Sequence, residues 1–310
     1  MIKKALLSAV AIAALSTSLM AQNSRPRTTS ILNIYDTVTG QTTVVGEYNY
    51  HLEAPNWTQD GKWLIFNSGG HLYKVSPDGK SEPQMIDSGY ASNCNNDHVL
   101  SPAGNEIAIS HFTKEDHQSR VYIIPIEGGE PRLITPVGPS YLHGWSPDGS
   151  TFAYHALRSN NTIKDIYIMP SKGGEEKRLT TAEGVDDGPE YSPDGKHIWF
   201  NSERSGLMQV WRMNPDGSEQ TQMTFMEDFN SWFPHVSPDG KQIVFIAYHK
   251  GDLEPGQHLA NKNVEIMIMP YEGGTPKSII KLFGGQGTIN VNSWAPDSKR
   301  FAFVSYRLEQ

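Results

Sequence analysis

The chain has 310 residues, a formal net charge of −8 and a single cysteine, Cys94. One cysteine cannot form an internal disulfide, so the fold must hold by packing, and a chain of this length buries enough apolar surface to do so. Acidic and basic residues are interspersed and no basic stripe with interleaved aromatics is present, so nucleic acid is not an expected partner.

The chain opens MIKKALLSAVAIAALSTSLMAQ: Lys3 and Lys4, then an apolar run from Ala5 to Met20 containing Ser8, Ser16, Thr17 and Ser18. That is the pattern of a secretory leader with a cut after Ala21, and it is short for a membrane span. Residues 1–21 are therefore expected to be a signal peptide. Residues 22–310 are expected to form one domain, periplasmic or secreted, with no membrane span after cleavage.

Next comes SILNIYDTVTGQTTVV (30–45), a strand–turn–strand pattern, and then a phrase that recurs. Its six copies start at Trp57, Leu100, Trp145, Tyr191, Val236 and Trp294. Those at 145, 191 and 236 read Ser-Pro-Asp-Gly after that residue, followed by an alternating or apolar strand. Pro presets φ for a turn, Asp bonds the backbone just ahead, and Gly takes a positive φ. The copies fall about every 45 residues, with one longer gap before the last, which is the period of propeller blades. A second hairpin follows in the first five units, with strands such as VYIIPI (121–126), DIYIMP (165–170) and EIMIMP (265–270). The sixth unit stops after two strands, and the hairpin at 30–45 supplies the missing half. An all-β, six-bladed propeller follows, closed by its N-terminal strands.

The phrase SPDGK-x-I-x-F, and above all SERSGLMQVWRMNPDGSEQTQMT (202–224), resembles the WD40-like (PD40) repeat of the TolB C-terminal propeller, over nearly the whole chain after residue 21. TolB carries an α/β domain ahead of its propeller, whereas only Gln22 to Thr29 precede the first strand here. The resemblance thus implies a TolB-like propeller, not a role in the Tol–Pal system. The same repeat occurs in oligogalacturonate lyases and in propellers attached to peptidases, and fold-level likeness does not choose among them.

In a propeller the Ser-Pro-Asp-Gly turns lie at one end, here the bottom, and the entries to the innermost strands and the loops between second and third strands at the other, the top. Ten of the eleven histidines, all but His197, map to the top or the upper channel. Glu53, Asn96, Tyr141, Asp187, Trp232 and Asn290 hold the same place in the six copies and are expected to ring the funnel mouth. Asn56, Glu190, His235 and Ser293 lie three residues further on. Carboxylates, imidazoles, amides and aromatics converging on a cavity describe a site for a glycan or other polar ligand. His155, Arg158, Arg204, His249 and Gln286 join the ligand-binding candidates, the arginines as bidentate partners of a carboxylate. The insertion KGDLEPGQHLANK (250–262) sits in the top loop of blade five, where it can act as a partial lid.

His98 and His143 occupy equivalent places in adjacent blades, with His235 one place off in a third. Two readings stay open for them. They hold a divalent metal (Mn, Zn, Ni or Ca), with carboxylate oxygens completing the shell, or they bond buried backbone groups. His143, His235 and Glu190 are the candidates for acid–base work. No GxSxG elbow, HExxH or phosphate-binding loop is present. The resemblance accordingly implies two functions: a binding propeller for a glycan, a small polar ligand or a periplasmic protein, or a metal-assisted oligosaccharide lyase. The residues do not decide whether the chain is an enzyme.

Overall fold

A computed structural model describes residues 27–158 and 163–309. The leader expected at residues 1–21 lies outside them. Among the described residues no helix is long and apolar enough to cross a membrane.

Among the described residues, twenty-three strands form six antiparallel sheets arranged as propeller blades. Blade one is β3 (Glu53–Trp57), β4 (Leu64–Ser68), β5 (His71–Val75) and β6 (Gln84–Ile86). Blade two is β7 (Cys94–Leu100), β8 (Glu106–Phe112), β9 (Ser119–Pro125) and β10 (Arg132–Leu133), and blade three is β11 (Ser140–Trp145), β12 (Thr151–Ala156), β13 (Asp165–Pro170) and β14 (Lys177–Arg178). Blade four is β15 (Asp186–Tyr191), β16 (Ile198–Ser202), β17 (Gln209–Met213) and β18 (Thr221–Gln222). Blade five is β19 (Phe229–Val236), β20 (Gln242–His249), β21 (Ala260–Pro270) and β22 (Lys277–Gly285).

The sixth blade closes the ring. β1 (Arg27–Asp36) pairs with β23 (Arg300–Glu309) over ten residues and with β2 (Gln41–Tyr48) on its other edge. The expected innermost strand of this blade is reduced to a single bridge, Trp294 to Phe301. The Gly-rich segment before it turns back on itself, with the Thr288 N–H donating to the Gly285 carbonyl at 3.0 Å, and so does not run on as a strand.

The repeated phrase builds the bottom turns as its chemistry requires. In the copies at 146, 192 and 237 the Ser hydroxyl donates to the Asp carboxylate two residues on, at 2.6–2.7 Å, and that carboxylate accepts a backbone N–H two residues further. The turn glycines have φ of 67–74°, and Ser298 adopts 59° in the last copy. Trp57 and Trp145 donate their indole N–H to the carbonyls of Gly61 and Gly149, fixing aromatic and turn together. Six hydrophobic clusters then fill the six boundaries between blades.

The innermost strands of blades one to five share one irregularity, a register shift near the middle. In blades one, three, four and five the strand carries one residue more than its partner. In blade two it carries two, because Cys94 pairs with His111 and His98 with Ile109. Bulges of this kind re-aim side chains, and here they aim them at the axis.

Candidate functional site

The bulges divide the axial funnel into two tiers. Just below the bulge, Asn56, Glu190 and His235 occupy equivalent pairing positions opposite Ile65, Trp199 and Val244. In this lower tier His235 Nδ1 meets Glu190 Oε2 at 2.7 Å, and its Nε2 meets the Ile289 carbonyl at 2.5 Å. The other Glu190 oxygen accepts from the Val236 N–H and from Asn292 Nδ2. Asn56 donates in turn to the Asn292 carbonyl. The network ties the inner segments of blades one, four, five and six, and each polar atom of the His–Glu pair is engaged.

The upper tier opens into a cavity of about 330 Å³ at the top of the funnel. Its charged heart is Asp187, 1 % exposed. Asp187 Oδ1 faces His143 Nε2 at 3.3 Å and also contacts His155 Nδ1. His143 stands at the bulge of β11, His155 on neighbouring β12, and Asp187 on the next blade. Each of the three offers a ligand atom, and these atoms lie within 4.8 Å of one another. Asp97 approaches His143 from the other side at 3.7 Å. Asp97 is itself held by Asn95 at 2.5 Å.

The rings are stacked into place. His155 lies between Tyr141 and His143, at centroid distances of 4.7 and 5.3 Å, and Phe233 covers the far face of His143. Phe233 holds φ at 53°, with its N–H bonded to Asn201 Oδ1. Such backbone persists only where its surroundings hold it. Lys164 reaches the cavity over the Tyr141 ring.

Burial and charge set the protonation of the cluster. Burial pushes His155 down to about 3 despite Asp187, and His258 down to about 4. Burial pulls His143 the same way, but Asp97 and Asp187 outweigh it and hold His143 above its ordinary value. Burial raises Asp97, with His143 opposing. For Asp187 the burial penalty is overcome by His155 and His143, which hold it well below the usual carboxylate range. The tier thus gathers an anionic Asp187 with neutral His155 and His258 and with His143, whose proton a bound cation would have to displace. No hydrogen bond reaches His155 Nε2 or His258 Nδ1 among the described residues, although both atoms are shielded from water. Buried polar atoms are rarely left so. The orphaned nitrogens and the His–His–Asp donor set fit a divalent cation.

Several sequence expectations require correction. His98, His143 and His235 do not converge. The two extra residues in blade two put His98 opposite Ile109, the place that Leu142 holds opposite Tyr154 in blade three. His98 is wholly buried there, and burial pushes it down to about 4. His235 belongs to the lower tier with Glu190, so this pair does not share the cavity with His143. Arg158 is spent on Glu176, with two contacts of 2.6 Å, and on the Pro139 carbonyl. Arg204 forks onto Asp186 at 2.8 and 2.9 Å and lies over Trp211. Neither arginine lines the cavity. Trp232 is 0 % exposed and packs on Phe233, so it offers no face to a sugar. His249 lies on the rim of blade five, against Phe229 and near Glu265. Glu53 pairs with His51 beside the mouth and accepts from Asn96 at 3.4 Å, while Asn290 turns in to accept the Gly287 N–H.

The structure brings Asn96, Tyr141, His143, His155, Asp187 and Gln286 to the cavity wall. It adds Asp97, Lys164 and His258, which position-matching between blades did not single out. Asp97 is one place past the matched position, in the blade with the longer bulge. His258 lies in the insertion, where no copy exists to compare. Lys164 ends a top loop, and a basic residue beside so many acceptors was the available signal.

The match to known proteins is extensive. The family model of the TolB beta propeller domain (PD40) matches residues 71–276. An uncharacterized protein of Agrobacterium fabrum is 44 % identical over 277 residues, covering 89 % of this chain and 92 % of that protein. A solved structure described as a candidate TolB from Agrobacterium tumefaciens superposes with a TM-score of 0.85 at 44 % identity, over 92 % of this chain and 99 % of that one. An oligogalacturonate lyase in complex with manganese shares the fold at a TM-score of 0.54 and 14 % identity, over 83 % of this chain and 74 % of that one.

Proposed function

The chain belongs to the TolB β-propeller family, and on that scaffold we propose that its upper tier is a divalent-metal site that holds a small polar or anionic ligand, such as a glycan fragment. One observation carries the reading: His143, His155 and Asp187, all buried, present donor atoms within 4.8 Å of one another at the cavity. Two imidazoles and a carboxylate suit Zn, Mn or Ni. Calcium, which takes an all-oxygen shell, fits this set poorly. Lys164 supplies a cation for a ligand carboxylate. Asn95, Asn96 and Gln286 offer amides, while Tyr141 and Phe112 offer aromatic faces to a sugar ring. A cavity of about 330 Å³ admits one or two sugar rings, not a folded protein. The leader-like pattern of residues 1–21 supports a periplasmic or secreted place for this activity.

A second reading is a metal-assisted lyase acting on an acidic oligosaccharide. Asp97 favours it, because this carboxyl stands on the cavity wall 3.7 Å from His143, and burial raises its proton affinity above that of a free carboxylate. A bound cation would stabilise negative charge developing on the substrate. Lys164 would orient the substrate carboxylate, Asp97 would accept the proton beside it, and the C–O bond to the leaving sugar would break as the C=C bond forms, the departing oxygen taking a proton from water.

Elemental analysis of purified protein, before and after His155→Ala, tests the common premise. Stoichiometric Zn, Mn or Ni that disappears in the variant is the expected result, and a metal-free wild-type protein that also fails to take up added Zn2+ or Mn2+ would sink both readings. Incubation with acidic oligosaccharides then separates them: new unsaturated products identify a lyase, and heat of binding without products identifies a binding propeller.

A further inference from the structure

We infer that His258 is a fourth protein ligand of the funnel cation, and that the blade-five insertion carrying it is thereby fastened over the cavity; this rests on the metal reading above. The insertion 250–262 is the longest top loop, and it leaves the blade beyond His249 and returns into β21. Its C-terminal end turns inward. Leu259 accepts hydrogen bonds through its carbonyl from Tyr248 Oη at 3.1 Å and from the Gln286 N–H at 3.2 Å. Those two bonds aim the preceding residue, His258, down into the funnel.

The His258 ring is wedged by aromatics, 4.4 Å from Trp232 and 5.0 Å, edge-on, from Phe233. Phe233 is also the ring that stacks on His143, so one side chain positions two imidazoles. His258 Nε2 lies 3.8 Å from Asp187 Oδ2, the oxygen opposite the one that meets His143 and His155. Three imidazoles from three separate segments therefore surround one buried carboxylate. The His258 side chain is 18 % exposed, yet its Nδ1 is shielded and has no hydrogen-bond partner among the described residues. A polar ring so placed gains little from packing alone, because a buried nitrogen without a partner carries its full desolvation cost. The other nitrogen, Nε2, is the one that faces Asp187, and through it the ring can share a cation with that carboxylate.

The consequence is a change in the preferred metal. Two imidazoles and one carboxylate leave an open shell suited to manganese as well as zinc. Three imidazoles and one carboxylate make the four-coordinate set that zinc prefers, which expands to five when a ligand oxygen arrives. Binding also couples to the loop: metal affinity gained through His258 is order gained by residues 250–262.

The test uses the full chain with Zn2+ and Mn2+ as probes, read by competition with a chelating indicator and by hydrogen exchange across 250–262. His258→Phe keeps the ring contacts with Trp232 and Phe233 and removes both nitrogens. In the wild-type protein Zn2+ is expected to bind more tightly than Mn2+ and to slow exchange in the insertion. In His258→Phe zinc affinity is expected to fall about 10-fold or more, with the protection of the insertion lost. Co2+ in the wild-type site should give the intense visible absorption of a four-coordinate ion, and a weak six-coordinate spectrum in the variant. Wild-type affinity and protection in His258→Phe would overturn this inference and leave the three-ligand site standing. Loss of binding in His155→Ala confirms that the ion read is the funnel ion. A wild-type protein that binds neither metal overturns both.

Discussion

The two tiers of the funnel are neighbours on the same inner strands, yet they treat buried imidazoles in opposite ways. In the lower tier His235 has both nitrogens engaged, and Glu190 answers with contacts from three groups. In the upper tier His155 and His258 each keep a shielded nitrogen without a partner, beside a buried carboxylate. A satisfied buried network holds structure, whereas an unsatisfied one stores a cost that a bound group can relieve. The lower tier accordingly fastens the ring, and the upper tier is the part of the funnel proposed to bind a ligand.

The largest effect that tests this contrast is in the lower tier. Glu190→Ala strips the acceptor from His235, the Val236 N–H and Asn292, and should cost about 3 kcal/mol or more, since each buried donor left without a partner costs about 1–3 kcal/mol. Urea unfolding measures it. Glu190→Gln, which keeps a carbonyl oxygen for Val236 and Asn292, should cost clearly less. A Glu190→Ala protein as stable as wild type would remove the distinction between the tiers.

The upper tier should respond to metal instead. Zn2+ at 100 times its dissociation constant is expected to stabilise the wild-type protein by about 2.7 kcal/mol. The increment should vanish in His155→Ala and survive in Glu190→Gln. Thermal unfolding with and without Zn2+ gives both comparisons, and an equal increment in His155→Ala would move the ion out of the upper tier.

The smallest effect lies at the far end of the molecule. Trp57→Phe removes the indole bond to the Gly61 carbonyl and should cost about 1 kcal/mol, with Zn2+ affinity unchanged. A change in metal affinity from so remote a site would show that the tiers are coupled through the blades.

The repeat was fully legible in the residues, because each blade writes its own turn locally. Pro, Asp and Gly at fixed offsets, an aromatic before them and an alternating strand after them determined the number of blades, the bottom end and the partnership of residues 30–45 with the last unit. The histidine bias toward the top was legible for the same reason. What the sequence alone could not determine was which top residues meet. His98 and His143 are matched in the repeat, but one bulge holds two extra residues and the other one, and an odd shift sends a side chain to the opposite face of a strand. Arg158 and Arg204 looked free until Glu176 and Asp186 came beside them across the blade. His258 enters the site from an insertion that has no counterpart in the other blades. Turn chemistry acts over a few residues and is written in them, whereas the meeting of His143, His155, Asp187 and His258 depends on bulge counts, blade curvature and loop anchoring, which only the closed ring of six sheets decides.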